Sequence, residues 1–260
     1  MSIFWSPRDS GAFFMYYRFM ARNPFDPKSK EPFPISRSKI DLFLECPRCF
    51  WLDLRQGVSR PSMPAFTLNS AVDELLKKEF DIHRAKGNPH PLMKEYHIDA
   101  IPLAHEKIDE WRNTFRGIRY HEPKTNFILF GAIDDLWQNP QKELYVVDYK
   151  STSTTKKISL EDQYKQGYKK QAEFYQWLLR QNGFKVSDTA YFVFCNGRRD
   201  KEAFDGKLEF NVEIIAYEGS DKWISKTIVD VRTCLKQNEI PKSGEDCQYC
   251  NYIQNRSKYN

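Results

Sequence analysis

Residues 131–150 read GAIDDLWQNPQKELYVVDYK, and three of them could act together chemically: Asp134, Asp148 and Lys150. Residues 126–137 and 143–150 read as strands, and QNPQK as the turn that joins them. Strand side chains alternate faces with period two, so Asp148 and Lys150 share a face that Leu144 and Val146 continue inward. A hairpin here brings Asp134 close to Asp148. Two ionised carboxylates in a half-dry site repel, and one pKa rises. A divalent cation removes that conflict. Mg²⁺ is a hard ion that takes oxygen ligands, often one or two carboxylates with water and substrate phosphate. A lysine beside it orients or activates a water, or neutralises charge on a phosphate. Together these groups suit metal-assisted hydrolysis of a phosphodiester. The plainer alternative is a salt-bridged surface hairpin.

A helix expected over about residues 160–182, closed by Gly183, adds to the set. Gln171 and Tyr175 are four apart and lie on one helical face, a pair suited to holding a phosphate or a base edge. Tyr164 and Tyr168 continue the stripe and read as half-buried core. Lys165, Lys169 and Lys170 read as solvated.

Cys46-Pro-Arg-Cys49 and Cys247-Gln-Tyr-Cys250 are two C-x2-C pairs at opposite ends of the chain. In a reducing compartment this spacing reads as a four-thiolate site for zinc or an iron–sulfur cluster. Cys195 and Cys234 read as core residues. The five histidines show no ligand spacing and read as structural or surface groups.

The elements that must position these residues sit in a chain of 260 residues, long enough for one large domain or a domain with an appendage. Hydrophobic residues make up 40% and aromatics 15%, which excludes a disordered chain. The net charge of +5 is an ordinary soluble surface, compatible with a polyanionic partner. No apolar run approaches the ~20 residues a membrane span requires. The first residues lack the basic lead of a secretory signal, so the expectation is a cytoplasmic protein without structural disulfides.

Residues 1–34 read as an extension or lid. Helices are expected over 36–52, capped by Ser36 and ending near Cys46-Pro47, and over 67–84, capped by Ser70 with Val72, Leu75, Leu76 and Phe80 inward. A further helix is expected near 104–116. Strands are expected at 189–195 and, after an Asp205-Gly206 turn, at 207–217. A last helix over 220–236, capped by Ser220, precedes the cysteine-containing tail. Strands flanked by helices imply an α/β or α+β layered domain.

The order Gly-x-x-Asp (131–134), Asp-x-Lys (148–150) and Gln-x-x-x-Tyr (171–175) resembles the PD-(D/E)xK nuclease superfamily. It is most similar to the RecB-type branch, which includes nuclease domains of recombination helicases and CRISPR-associated exonucleases. That branch carries a Gly-x-x-x-His helix whose histidine binds metal; here Asn69 and Asp73 stand in those positions. It also opens with Ser-x4-Phe-x2-Cys-Pro, as Ser38 to Pro47 do here.

The resemblance, covering about residues 35–252, implies a restriction-endonuclease-like core: a central mixed β-sheet flanked by helices, with the N- and C-terminal segments joined by the four-cysteine site. Residues 35–260 would then be one nuclease domain with a helical insert near 86–125. The implied activity is that of a metal-dependent DNA exonuclease acting on single strands or ends. Asp134 and Asp148 would bind Mg²⁺ or Mn²⁺ with the backbone carbonyl of Tyr149, and Asp73 as an extra ligand. Lys150 would serve the attacking water, and Gln171 and Tyr175 the substrate. Cys46, Cys49, Cys247 and Cys250 would hold a [4Fe–4S] cluster, with zinc as the alternative. DNA is the implied partner, with a protein partner in recombination or CRISPR adaptation. Two rivals are a catalytically lapsed binding module of the same fold and a redox or iron sensor.

Overall fold

The computed structural model describes residues 24–62, 64, 66–162 and 165–259. In chain order the elements are β1 (Phe33–Ser36), α1 (Arg37–Glu45), α2 (Pro47–Gln56), α3 (Thr67–Lys86), α4 (Pro91–Glu95), β2 (Ile101–Pro102) and α5 (Ile108–Arg112). They continue with β3 (Ile118–Glu122), β4 (Phe127–Gly131), β5 (Asp135–Gln138), β6 (Leu144–Thr152), α6 (Gln166–Gln181), β7 (Val186–Gly197), β8 (Phe210–Glu218), α7 (Ile224–Lys236) and α8 (Gln248–Arg256). The chain divides into two compact units, Glu31–Asp41 with Ser62–Asp230, and the remainder. No helix among the described residues is long and apolar enough to cross a membrane.

The larger unit is built on a five-stranded sheet in the order β2-β5-β6-β7-β8. Only the β6–β7 pair is parallel, so the sheet is mixed. β6 lies at its centre. Its run Val146, Val147, Asp148, Tyr149 is buried throughout, as expected of a strand covered on both faces. The connection from β6 to β7 passes through α6, whose Ala172, Phe174, Trp177, Leu178 and Leu179 are buried. Leu76 and Phe80 of α3 join Trp137, Val147, Tyr149 and Val193 in the core. A three-stranded sheet, β1-β4-β3, completes the unit.

Several elements differ from expectation. The strand expected over 126–137 is two strands in two sheets. The Ile133 amide bonds the Trp111 carbonyl at 3.1 Å, and Arg112 Nε bonds the Asp134 carbonyl at 2.9 Å, so these residues leave the ladder. Residues 86–125, expected as a helical insert, hold two five-residue helices and the strands β2 and β3. The helix expected over 104–116 is α5 alone.

α3 begins at Thr67, so Ser70 lies inside it and its hydroxyl bonds the Phe66 carbonyl instead of capping. Leu75 is 63% exposed, so it does not belong to the inward face. α6 starts at Gln166 and α7 at Ile224, both later than expected. Ser220 is not a helix cap; its amide bonds Glu173. Asp205 and Gly206 make the expected turn, both at positive φ, with Lys207 N–H bonding the Phe204 carbonyl at 2.8 Å.

In the smaller unit α2 is well delimited. Cys46 is its N-cap, Pro47 its first residue, and Gly57 at φ +70° its C-cap. α2 is tied to the C-terminal segment by Trp51 Nε1 to the Gln237 carbonyl (3.3 Å), Arg55 to Leu235 (3.1 Å) and Arg48 to Pro241 (3.0 Å). Buried Phe25 adds an amide bond to the Leu54 carbonyl and lies under Arg232. Residues 1–23, the greater part of the expected lid, lie outside the described residues.

Candidate active site

The β5–β6 register pairs Asp135 with Val147. Asp134, one residue ahead of β5, therefore comes opposite Asp148. Its Oδ2 accepts the Tyr149 amide at 3.0 Å, which fixes the carboxylate against the next strand. Asp148 is 1% exposed. Its Oδ1 accepts from Gln171 Nε2 at 2.9 Å, and its Oδ2 meets Lys150 Nζ at 2.5 Å. Lys150 also reaches Gln171 Oε1 at 3.5 Å, and Tyr168 places its ring 4.6 Å from the ammonium. Gln171 Nε2 lies 3.4 Å from the Tyr175 hydroxyl. The residues singled out on the hairpin and on α6 are thus brought together.

Gly131 has a steric reason. A Cβ there would lie 2.6 Å from Cε1 of Tyr175, so only glycine lets that ring close over the strand.

Asp73 reaches the site through an intermediary. Lys77 Nζ lies 2.6 Å from Asp73 Oδ2 and 3.2 Å from Asp134 Oδ1. Sequence reasoning missed Lys77; its only signal is the i,i+4 spacing from Asp73. It missed Arg37 too, which hydrogen-bonds the Tyr175 hydroxyl and feels the charge of Asp148.

The electrostatics follow from burial. Desolvation pushes the Asp148 carboxyl up to about 7; the charge of Asp134 adds to this and Lys150 opposes it. Desolvation also raises Asp73, helped by Asp134. For Lys77 and Lys150 burial works against the charge, yet the neighbouring carboxylates outweigh it and both are raised. Burial moves the Tyr175 phenol up to about 12, so it stays a neutral donor.

These residues suit a hard divalent cation. Asp148 Oδ2 is buried, and the Lys150 ammonium 2.5 Å away is the positive charge that faces it, where a cation would otherwise stand. The Lys77 ammonium already bridges two carboxylates as a cation would. Among the described residues, however, the three aspartates do not converge into one ligand cluster as the four cysteines do.

The remaining charges have other roles. Asp135 is fully buried, paired with Arg84 (2.5 Å) and Arg112 (3.1 Å), and accepts the Tyr149 hydroxyl at 2.7 Å. Lys165, expected to be solvated, is buried against the Ser159 carbonyl and Asp162. Lys169 is held by Glu161, and Lys170 is exposed. Tyr164 lies outside the described residues. His90 is buried and stacked on Phe80, a structural histidine. Cys195 and Cys234 are buried core thiols.

In the smaller unit Cys46, Cys49, Cys247 and Cys250 gather with all four sulfurs within 4.8 Å of one another. The two C-x2-C pairs therefore form one site.

With this geometry in place, the family model of the PD-(D/E)XK nuclease superfamily is found to match residues 34–254. The chain belongs to that superfamily. Members of the PD-(D/E)XK nuclease superfamily are generally hydrolytic nucleases, and the fold implies binding of a nucleic-acid substrate. No curated protein matches the chain. Among solved structures, the crystal structure of SSO0001 is similar at 14% identity, over 87% of this chain and 86% of its own, with a TM-score of 0.36.

Proposed function

We propose that the chain is a divalent-metal-dependent deoxyribonuclease, an exonuclease acting on single-stranded DNA or on DNA ends. The observation that carries this reading is the convergence of Asp134, Asp148 and Lys150 with Gln171 in a chain of the nuclease superfamily.

Asp134, Asp148 and the Tyr149 carbonyl would hold Mg²⁺ or Mn²⁺, with Asp73 as a further ligand. The cation supplies Lewis-acid stabilisation of charge developing on the phosphoryl oxygens. Lys150 directs the attacking water and neutralises negative charge in the transition state. Gln171, bonded to Asp148 and within reach of Lys150, fixes the spacing of the two groups. Tyr175, a neutral phenol, orients the scissile phosphate. Basic side chains outside the site contribute salt-dependent affinity for the DNA backbone. A protein partner in recombination or CRISPR adaptation belongs to the same reading.

The test is cleavage of labelled single- and double-stranded DNA with Mg²⁺, Mn²⁺ or EDTA, comparing wild type with Lys150→Ala. Metal-dependent cutting that the substitution removes supports the proposal. A metal-loaded wild type that binds DNA and cuts neither substrate overturns it in favour of a lapsed binding module.

A further inference from the structure

The resemblance to RecB-type nucleases implies a [4Fe–4S] cluster at the four cysteines, and the geometry of the sulfurs does not fit one. Cys49 Sγ lies 3.6 Å from Cys247 Sγ and 3.6 Å from Cys250 Sγ, and Cys46 Sγ lies 3.8 Å from Cys250 Sγ. All four lie within 4.8 Å of one another. In a cubane each thiolate binds a different iron and stands outside the iron core. The four sulfurs are then spread well beyond that distance, because four metal atoms and four sulfides lie between them. Four thiolates around one ion behave differently. With a metal–sulfur bond of about 2.3 Å, the edge of a tetrahedron is about 3.8 Å. The sulfur pairs at 3.6 and 3.8 Å match that edge.

We infer that Cys46, Cys49, Cys247 and Cys250 form a mononuclear tetrathiolate site that takes a single tetrahedral ion, zinc by the chemistry of its donors. The surroundings fit the charge such a site carries. Four thiolates around a divalent ion leave a net charge of about −2, which buried sites offset with hydrogen bonds to sulfur. Cys46 Sγ accepts the Gly244 amide at 3.3 Å and the Cys49 amide at 3.5 Å. Cys247 Sγ accepts from Arg60 Nη2 at 3.2 Å.

Arg60 is itself aimed: its Nη1 meets both oxygens of Glu45 at 2.8 Å, and its guanidinium lies over the Tyr249 ring. Gly244 has no freedom to change, since a Cβ there would lie 2.1 Å from the Glu45 carbonyl oxygen. A cleft of about 590 Å³, lined by Cys49, Cys250, Arg60 and Tyr249 among others, gives the ion a route in.

The experiment is elemental analysis and visible spectroscopy of the full chain purified without oxygen, so that an iron–sulfur cluster would survive. The expected result is one zinc per chain, no acid-labile sulfide and no broad visible absorption. Exchange of the ion for Co²⁺ should then produce the intense absorption of tetrahedral cobalt thiolate, without dependence on any substitution that could unfold the protein. Iron and sulfide at four each per chain would overturn the inference, as would a chain that binds neither zinc nor cobalt. As a second readout, Arg60→Met should fold and keep its zinc while releasing it faster to a chelator. An unchanged release rate would remove Arg60 from the site.

Discussion

Asp134 and Asp135 are consecutive residues held by opposite ends of a single tyrosine. The main-chain amide of Tyr149 donates to Asp134, and its hydroxyl donates to Asp135. Asp134 is partly exposed beside Lys77, whereas Asp135 is sealed in with Arg84 and Arg112. In the proposed function one carboxylate serves the reaction and the other the fold, and the backbone alternation of the strand separates the two roles.

Substitution should therefore separate them. Asp135→Asn leaves Arg84 and Arg112 short of a buried counter-charge and should destabilise the protein by about 3 kcal/mol. Asp134→Asn should change stability by less than about 1 kcal/mol while removing cleavage. Urea unfolding beside a cleavage assay checks both, and a loss of activity in Asp134→Asn explained wholly by unfolding would refute the division.

Lys150→Met should lower the cleavage rate by about 10²–10⁴-fold, the range for a group that acts on the water or the developing charge. DNA affinity measured in EDTA should stay within about threefold, because one phosphate contact is a small part of an electrostatic interface. A parallel loss of binding would instead make Lys150 an anchor for the substrate.

Lys77 pairs with Asp73 and Asp134, the carboxylates that the proposed cation would need. Lys77→Met should tighten Mn²⁺ binding by about tenfold, equivalent to about 1.4 kcal/mol. Titration calorimetry reads this directly, and equal affinities in the two proteins would show that the ammonium does not stand in the cation's way.

The raised Asp148 carboxyl sets a pH dependence. Its folded-state pKa of about 7 exceeds the ordinary carboxylate value, so between about pH 4 and pH 7 the metal-free folded protein binds more protons than the unfolded chain. Metal-free stability should then fall as pH rises through that window. A divalent cation needs the ionised form, so its affinity should drop about tenfold per pH unit below about 7 and level off above it. Mn²⁺ binding measured at about pH 6 and about pH 8 tests the sign. A flat profile would mean that Asp148 is ionised throughout.

The arrangement of residues on the hairpin was legible because a period of two is a strong local rule. It placed Asp148 and Lys150 on one face, and the turn brought Asp134 opposite. Gln171 and Tyr175 followed from helical spacing, and the cysteines from their pairing. Lys77 was hidden because an i,i+4 lysine and aspartate look the same in sequence on a bare helix surface and in a site. The break between β4 and β5 was hidden for a different reason. Its hydrogen bonds go to Trp111 and Arg112, some twenty residues earlier, and strand-like composition gives no sign of such distant partners. The strands in residues 86–125 were obscured likewise, since β2 and β3 exist only by pairing with β5 and β4.

The distribution of the four cysteines also sets an order of events during synthesis. Cys46 and Cys250 are 204 residues apart. At about 5–20 residues per second, the first pair of thiols waits roughly ten to forty seconds for the second to be made. Through that interval the nascent chain offers only a two-thiolate site, which binds an ion weakly and closes nothing. The clasp forms only once residue 250 has emerged, so an ion held tightly by all four thiolates marks a chain in which the segments around Cys46 and Cys250 have found each other.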